Sequence, residues 1–234
     1  MQRFLTARWQ DLVMANYEVS ASLLEPRLPL GTELDLEDGR CYVSLVGFMF
    51  LDTRVFGVPV PFHINFEEVN LRFYVTRNTG DEVRRGVVFV KEIVPRFTIA
   101  AVARLLYEEP YEARRMWNKR EGDSIEYGWN DAGSSHTITL ARGKRIGIPE
   151  PASHAEFIIE HYWGYTRRRG DRSDEYKVEH PKWDLYESSH VRIDVDFGAV
   201  YGKEFAFLNA AEPYSVLLAA GSEIAVYKGK QIRF

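Results

Sequence analysis

Glu68-Val-Asn-Leu-Arg-Phe-Tyr-Val-Thr-Arg77 alternates polar and apolar residues with the period of a strand. One face carries Val69, Leu71, Phe73 and Val75, the other Glu68, Asn70, Arg72, Tyr74 and Thr76. Asn78-Thr-Gly-Asp81 has the chemistry of a tight turn, and Gly86–Ile93 returns as the hairpin partner. On the other side, Cys41-Tyr-Val-Ser-Leu-Val-Gly-Phe-Met-Phe50 is an apolar run bounded by Asp38-Gly39 and Asp52, and reads as a third strand. Further strands are expected at Ser124–Trp129, His136–Ala141, Glu156–Tyr165, Tyr176–Glu179, Trp183–Asp194 and Glu223–Tyr227. Only two segments have a helical pattern. Ser20-Ala-Ser-Leu-Leu-Glu25 is short and stopped by Pro26, and Phe97–Glu108 places Ile99, Val102, Ala103 and Leu106 on one face. Many short strands and few helices define an α+β, mainly β class, with an antiparallel sheet closed into a barrel or folded into a sandwich.

Composition narrows the function. The 234 residues are 45% hydrophobic, enough for a sizeable core, and they contain no linker, repeat or low-complexity tract, so one domain over 1–234 is expected. A formal charge of −4 argues against a general nucleic-acid binder. The longest apolar run, Cys41–Leu51, is about half the ~20 residues a bilayer-spanning helix needs. The start, Met1-Gln-Arg-Phe-Leu-Thr-Ala-Arg-Trp-Gln-Asp11, has no signal-peptide pattern, so a soluble cytoplasmic protein without membrane partners is expected. A lone cysteine, Cys41, excludes an internal disulfide and a cysteine-based zinc site.

No phosphate-binding loop, Gly-x-Gly-x-x-Gly, His-Glu-x-x-His or Gly-x-Ser-x-Gly occurs, and no cofactor or metal is implied. Six histidines lie at 63, 136, 154, 161, 180 and 190, none at a metal-site spacing. His161 and His180 stand in aromatic surroundings, Glu160-His-Tyr-Trp-Gly-Tyr165 and Glu179-His-Pro-Lys-Trp183, as hydrogen-bonded strand histidines or as acid–base groups of neighbouring strands. Between them, Arg167-Arg-Arg-Gly-Asp-Arg-Ser-Asp-Glu175 reads as a solvated hairpin tip. The row Glu68, Asn70, Arg72, Tyr74 has two readings. Facing water it is ordinary solvation; facing the inside of a barrel it is a ligand-binding wall.

The stretches Leu30–Asp35, Tyr42–Phe48, Asn65–Val75, Gly86–Pro95, Ala103–Tyr111, Glu160–Tyr165 and Glu179–Trp183 resemble the YqjF-like, or DUF2071, family of uncharacterised bacterial proteins. The resemblance runs from Leu5 to Tyr227, nearly the whole chain. More remotely, that family is similar to acetoacetate decarboxylase, which implies a mainly antiparallel sheet curled into a conical barrel around a pocket. By chain order, Arg8 falls where the decarboxylases have an arginine and Glu68 where they have an active-site glutamate. Their Schiff-base lysine pair does not carry over. The matching stretch reads Tyr107-Glu-Glu-Pro-Tyr-Glu112, and no lysine occurs between Lys91 and Lys119. Lys91, beside Glu92 and far from a second lysine, reads as a surface or salt-bridged residue.

The resemblance thus implies a barrel that binds a small anionic or carbonyl-containing molecule without Schiff-base decarboxylation. Arg8, Glu68, Asn70, Arg72 and Tyr111 would line the cavity, joined by Tyr74, Met116, His161 and Trp163. Arginine would hold a carboxylate, and Glu68 is the candidate catalytic acid–base. In the alternative structural reading Arg8, Glu68 and Arg72 form a buried ion network. Two other functions remain open: an interaction module using the aromatic hairpin at 161–183, and a carboxylate-assisted lyase or hydrolase. A homo-oligomer built on strand edges is compatible with either.

Overall fold

A computed structural model describes residues 1–59, 64–95, 110–131, 133–168 and 170–233. In chain order the strands are β1 (Arg3–Val19), β2 (Glu33–Leu34), β3 (Cys41–Val55), β4 (Val58–Pro59), β5 (Phe66–Asn78), β6 (Val83–Val94), β7 (Tyr111–Ala113) and β8 (Met116–Glu121). There follow β9 (Ser124–Asp131), β10 (Ser134–Gly147), β11 (Trp163–Arg167), β12 (Arg172–Glu179), β13 (Leu185–Asp194), β14 (Ser215–Ala219), β15 (Glu223–Tyr227) and β16 (Lys230–Arg233). Short helices are α1 (Ala21–Leu24), α2 (His154–Ile159) and α3 (Phe197–Tyr201), with 3₁₀ turns at Glu25–Arg27 and Lys203–Ala210.

All these strands belong to one curled sheet. Pairings run β1–β3–β5–β6–β11–β12–β15 and return to β1, and a second arm, β14–β13–β10–β9–β8, leaves from β1. The ring is not a regular barrel. Its seams at β6–β11, which is parallel, and at β12–β15 are each only two residue pairs long.

β1 makes this geometry possible. Along one edge it pairs with β3 throughout, while on the other Arg3–Arg8 pair with β15 and Leu12–Asn16 with β14. Between these halves lies a bulge at Gln10–Val13, where Asp11 takes φ 54°. A bulge adds a residue and sharpens the local bend, so one strand serves both ring and arm. The same phase reset breaks the alternation of the first nineteen residues, and no strand is expected there from pattern alone.

Both faces of β1, β3, β5 and β6 are buried. Val13, Val43, Val69, Leu71, Phe73 and Val88 pack with Tyr127, Trp129, Ile138 and Leu140 of the folded-over arm. Ala7, Phe48, Phe66, Tyr74, Val87 and Ile224, from five of the ring strands, meet on the enclosed side, where α2 adds Phe157, Ile158 and Ile159.

The strands expected around residues 41–50, 68–77 and 86–93 form β3, β5 and β6, in register Val46↔Asn70 and Asn70↔Glu92. The strand expected at Glu156–Tyr165 is corrected: its first part is α2, and strand begins at Trp163. Ser153-His-Ala-Glu156 is a capping-box sequence, and the Ser153 hydroxyl accepts from the Glu156 N–H at 3.2 Å. Burial of Phe157–Ile159 on the ring then favours the helix over the apolar run's strand propensity. The charged tip is also revised. Ser173, Asp174 and Glu175 are buried, Asp174 paired with Arg168. The helix expected at Phe97–Glu108 lies outside the described residues.

Candidate ligand-binding site

The polar row of β5 faces the enclosed side of the ring, not water. Glu68, Asn70 and Tyr74 are only 2%, 1% and 1% exposed. Strand register sets their neighbours. Phe48, Val46 and Ser44 of β3 stand opposite Glu68, Asn70 and Arg72, and residues paired across a sheet project to the same side. On the other flank β6 brings Glu92 opposite Asn70 and Phe89 opposite Arg72. A register shift between these pairs leaves Val90 and Lys91 together on the far side. That shift turns Glu92, 1% exposed, into the enclosed face and Lys91 out of it. Lys91 pairs instead with Glu112 at 3.1 Å and donates to the Val200 carbonyl.

Arg72 is the exceptional charge. Its Nη2 meets the Met14 sulfur at 3.8 Å, its guanidinium lies 5.7 Å from the centre of the Tyr74 ring, and its Nε is buried without a hydrogen-bond partner. No carboxylate among the described residues pairs with it. Asn70 Nδ2 donates to Glu68 Oε1 at 3.0 Å, while Asn70 Oδ1 and Trp9 Nε1 are buried without partners. Orphaned polar atoms are uncommon in native interiors and mark strain or an absent ligand or water.

Two histidine–carboxylate pairs frame this row. The Tyr74 hydroxyl lies 2.6 Å from Ser44 Oγ, which donates to Asn16 Oδ1 at 2.6 Å. Asn16 Nδ2 donates to Ser215 Oγ at 2.8 Å, Ser215 lies 2.8 Å from His154 Nε2, and His154 Nδ1 lies 2.5 Å from Glu37. Both ring nitrogens of His154 are thus engaged, Nδ1 by Glu37 and Nε2 by Ser215. Since Ser44 donates to Asn16, Tyr74 donates to Ser44. The second pair joins His161 Nε2 to Asp35 Oδ2 at 2.9 Å, and Arg85 Nε donates to the same oxygen at 2.7 Å. The His161 ring lies 4.6 Å from that of Tyr74 and 5.5 Å from that of Phe157.

Burial pushes the His161 pKa down to about 4, with Arg85 and Arg72 acting the same way and the Asp35 hydrogen bond opposing. Burial also raises the Asp35 carboxyl, but hydrogen bonds from His161 and Arg85 outweigh it and leave it below the usual range. His180 falls to about 4 through burial, aided by Arg72 and opposed by its bond to the Pro181 carbonyl. Its ring stacks on Trp183 at 4.0 Å and lies 4.6 Å from Tyr162, so β11 and β12 bring both histidines under the influence of Arg72. Trp9 completes the aromatic group, 6.0 Å from Trp183 and 5.1 Å from Phe48.

Of the residues singled out from sequence, Glu68, Asn70, Arg72, Tyr74 and His161 come together, and Tyr111 sits opposite Glu92 against the same cluster. Arg8, Met116 and Trp163 do not join them. Arg8 is exposed, out of phase with Ala7 and Trp9, which turn inward. Met116 and Trp163 pack on the other core, where Arg84 covers the Trp163 ring at 4.1 Å. An ion network of Arg8, Glu68 and Arg72 is therefore not what closes the ring. His180, read from sequence with His161 as a strand or acid–base histidine, joins them through Trp183 and Tyr162, whereas Asp35, Glu92, Trp9 and Trp183 were not singled out from sequence. Asp35 and Glu92 lie in stretches that carry the family resemblance, but their inward direction depends on register. Among the described residues, no group of three or more His, Cys, Asp or Glu is placed to hold a metal, and no helix is long and apolar enough to cross a membrane.

The curled sheet is shared with solved acetoacetate decarboxylase-like proteins. The chain superposes on acetoacetate decarboxylase from Legionella pneumophila with TM-score 0.68 at 11% identity, covering 99% of this chain and 88% of that one. An acetoacetate decarboxylase-like enzyme from Sphingomonas wittichii RW1 gives 0.68 at 12% identity, covering 100% and 94%. MppR, an enduracididine biosynthesis enzyme complexed with pyruvate, gives 0.67 at 11%, covering 99% and 91%. At these identities the likeness is one of fold. In sequence, the chain belongs to the DUF2071 family, described as an uncharacterized conserved protein, whose profile matches residues 6–223. It is 28% identical over 192 residues to the uncharacterized protein YqjF of Bacillus subtilis (strain 168), covering 80% of this chain and 77% of that one.

Proposed function

We propose that this protein binds a small carboxylate-bearing molecule on the enclosed face of the ring, with Arg72 as the anion anchor. The observation that carries this reading is the Arg72 guanidinium, set inside the ring with an orphaned Nε and no carboxylate partner among the described residues. An arginine in this state leaves its fork available for the bidentate contacts that carboxylates make. Glu68 and Asn70, joined by a hydrogen bond, orient the ligand beside it, and Glu68 is the candidate acid–base. A neighbour of the same fold is complexed with pyruvate, which supports a small oxo acid as the ligand class. Schiff-base chemistry is not part of this reading, because Lys91 projects to the other side of β6 and is bound to Glu112.

The aromatic hairpin offers less support for a docking module. Tyr165, Tyr176 and Trp183 are 1%, 7% and 3% exposed, so these rings fill the interior. The test is a thermal-shift screen of wild type, Arg72→Met and Glu68→Gln against small carboxylates, keto acids and acyl conjugates. A binding-competent ligand raises the melting temperature by mass action. The expected result is a shift with wild type that both variants lose while remaining folded. A shift that survives Arg72→Met removes the anchor and the proposal with it.

A further inference from the structure

We infer that His161 is a second ligand-binding residue on this enclosed face, its Nδ1 accepting a hydrogen bond from a hydroxyl or enol O–H carried by the bound carboxylate. The inference rests on the reading of Arg72 as anion anchor and narrows its ligand to hydroxy or enolised carboxylates.

The tautomer follows from the partners. Asp35 Oδ2 takes hydrogen bonds from both Arg85 Nε and His161 Nε2, at 2.7 and 2.9 Å. Arg85 already balances the Asp35 charge, so no imidazolium is needed, and the single imidazole proton sits on Nε2. Nδ1 is left as a bare acceptor. It is buried without a partner, on a side chain 1% exposed. The obvious neighbour cannot serve it: the Tyr74 O–H, on the ring against which His161 lies, is committed to Ser44. Arg72 rests against that same Tyr74 ring, so the anion anchor and the unused acceptor share one aromatic neighbour.

His154 shows what a purely structural pair looks like in this protein. It is held by a carboxylate at one nitrogen and by Ser215 at the other, and nothing is left over. His161 has the first contact and lacks the second. A lone pair held by a fixed tautomer discriminates a ligand with O–H from one without it, because only the former satisfies the buried nitrogen. The low basicity of the ring suits an acceptor that orients rather than one that removes a proton.

The test uses matched pairs of acids that differ by one hydroxyl: lactate and propionate, 3-hydroxybutyrate and butyrate, malate and succinate. Calorimetric titration of the wild-type protein should show the hydroxy member binding about tenfold tighter, equivalent to ~1.4 kcal/mol. His161→Phe should erase that preference, with the two members of each pair binding equally. Imidazole ¹⁵N spectra of wild type supply an arm that does not depend on a variant folding. They should show His161 protonated at Nε2, with its Nδ1 resonance moved by the hydroxy acid and not by its deoxy partner. Equal affinities within every pair, together with loss of both in Arg72→Met, overturn the His161 assignment and leave the anchor standing. An Nδ1–H tautomer overturns it outright. Absence of any Arg72-dependent binding across the set overturns both readings.

Discussion

Two charges, Glu175 fully buried and Arg72 half-buried, are treated in opposite ways. Glu175, fully buried on β12, is surrounded by cations: Arg77 and Arg84 donate to its two oxygens at 2.7 and 2.6 Å, Tyr165 donates at 3.0 Å, and Lys230 lies 3.4 Å away. Burial pushes its carboxyl up, but Arg77, Arg84 and Tyr165 outweigh that and hold it below the usual range. Arg72, set within the ring, has a sulfur, an aromatic ring and an orphaned Nε. Asp11, buried between Arg120 and Arg142, follows the Glu175 pattern. The protein thus pairs Glu175 and Asp11 where they hold strands together, and leaves Arg72 without a carboxylate among the described residues where the ring encloses a polar row. A group kept in a costly state is a better pointer to function than one whose needs are met.

The comparison can be broken at its stable end. Glu175→Ala leaves Arg77 and Arg84 facing each other without their common anion and should cost about 3 kcal/mol, read as a lowered denaturation midpoint. A loss under about 1 kcal/mol would mean that solvent reaches both guanidinium groups, and the contrast with Arg72 would lose its basis.

Acid should act earliest on the ligand side. The folded-state pKa values of His161 and His180, about 4, lie below the ordinary 6.5, so folding favours their neutral forms. Their contribution is complete above about pH 6.5 and is lost as pH falls towards 4, at roughly 1 kcal/mol per pH unit for the buried His161. The Glu175 contribution runs lower: it is present above the usual glutamate range and lost as pH falls below it. Stability measured from pH 7.5 to 3 should therefore decline in two stages, and His161→Phe should flatten the first only. Parallel curves for variant and wild type would place the acid sensitivity elsewhere.

Smaller effects sharpen the contrast. Arg72→Met swaps a poorly satisfied charge for an apolar chain and should change stability by no more than about 1 kcal/mol while abolishing carboxylate binding. A loss as large as that of Glu175→Ala would make Arg72 structural. Arg8→Ala, at an exposed site with no ion pair among the described residues, should fall within about 0.5 kcal/mol of wild type and leave ligand shifts unchanged. Any loss of binding there would return Arg8 to the site.

The hairpin of β5 and β6 and the strand β3 were legible because alternation and turn chemistry are local. The polar row was legible as a row, since Glu68, Asn70, Arg72 and Tyr74 share one phase of a period-two pattern. Its meaning was not. Pattern favours a solvated face, and only the folding of the β8–β10 arm over one side and the closure of the ring on the other bury both. The helix α2 was written in its capping box, yet its apolar run was equally good as a strand.

The amino-acid sequence by itself determined the mainly β class, the alternation of β5, the lack of a lysine between Lys91 and Lys119 and the family to which the chain belongs. Tertiary structure alone decided that Arg72 would meet no carboxylate among the described residues, that Glu92 would turn inward and Lys91 outward, and that Asp35 would meet His161 across 126 positions of chain. The reason is physical. Periodicity and turn chemistry act over a few residues, whereas a bulge, a register and a ring closure fix which distant side chains share a space, and those choices minimise the energy of the whole sheet.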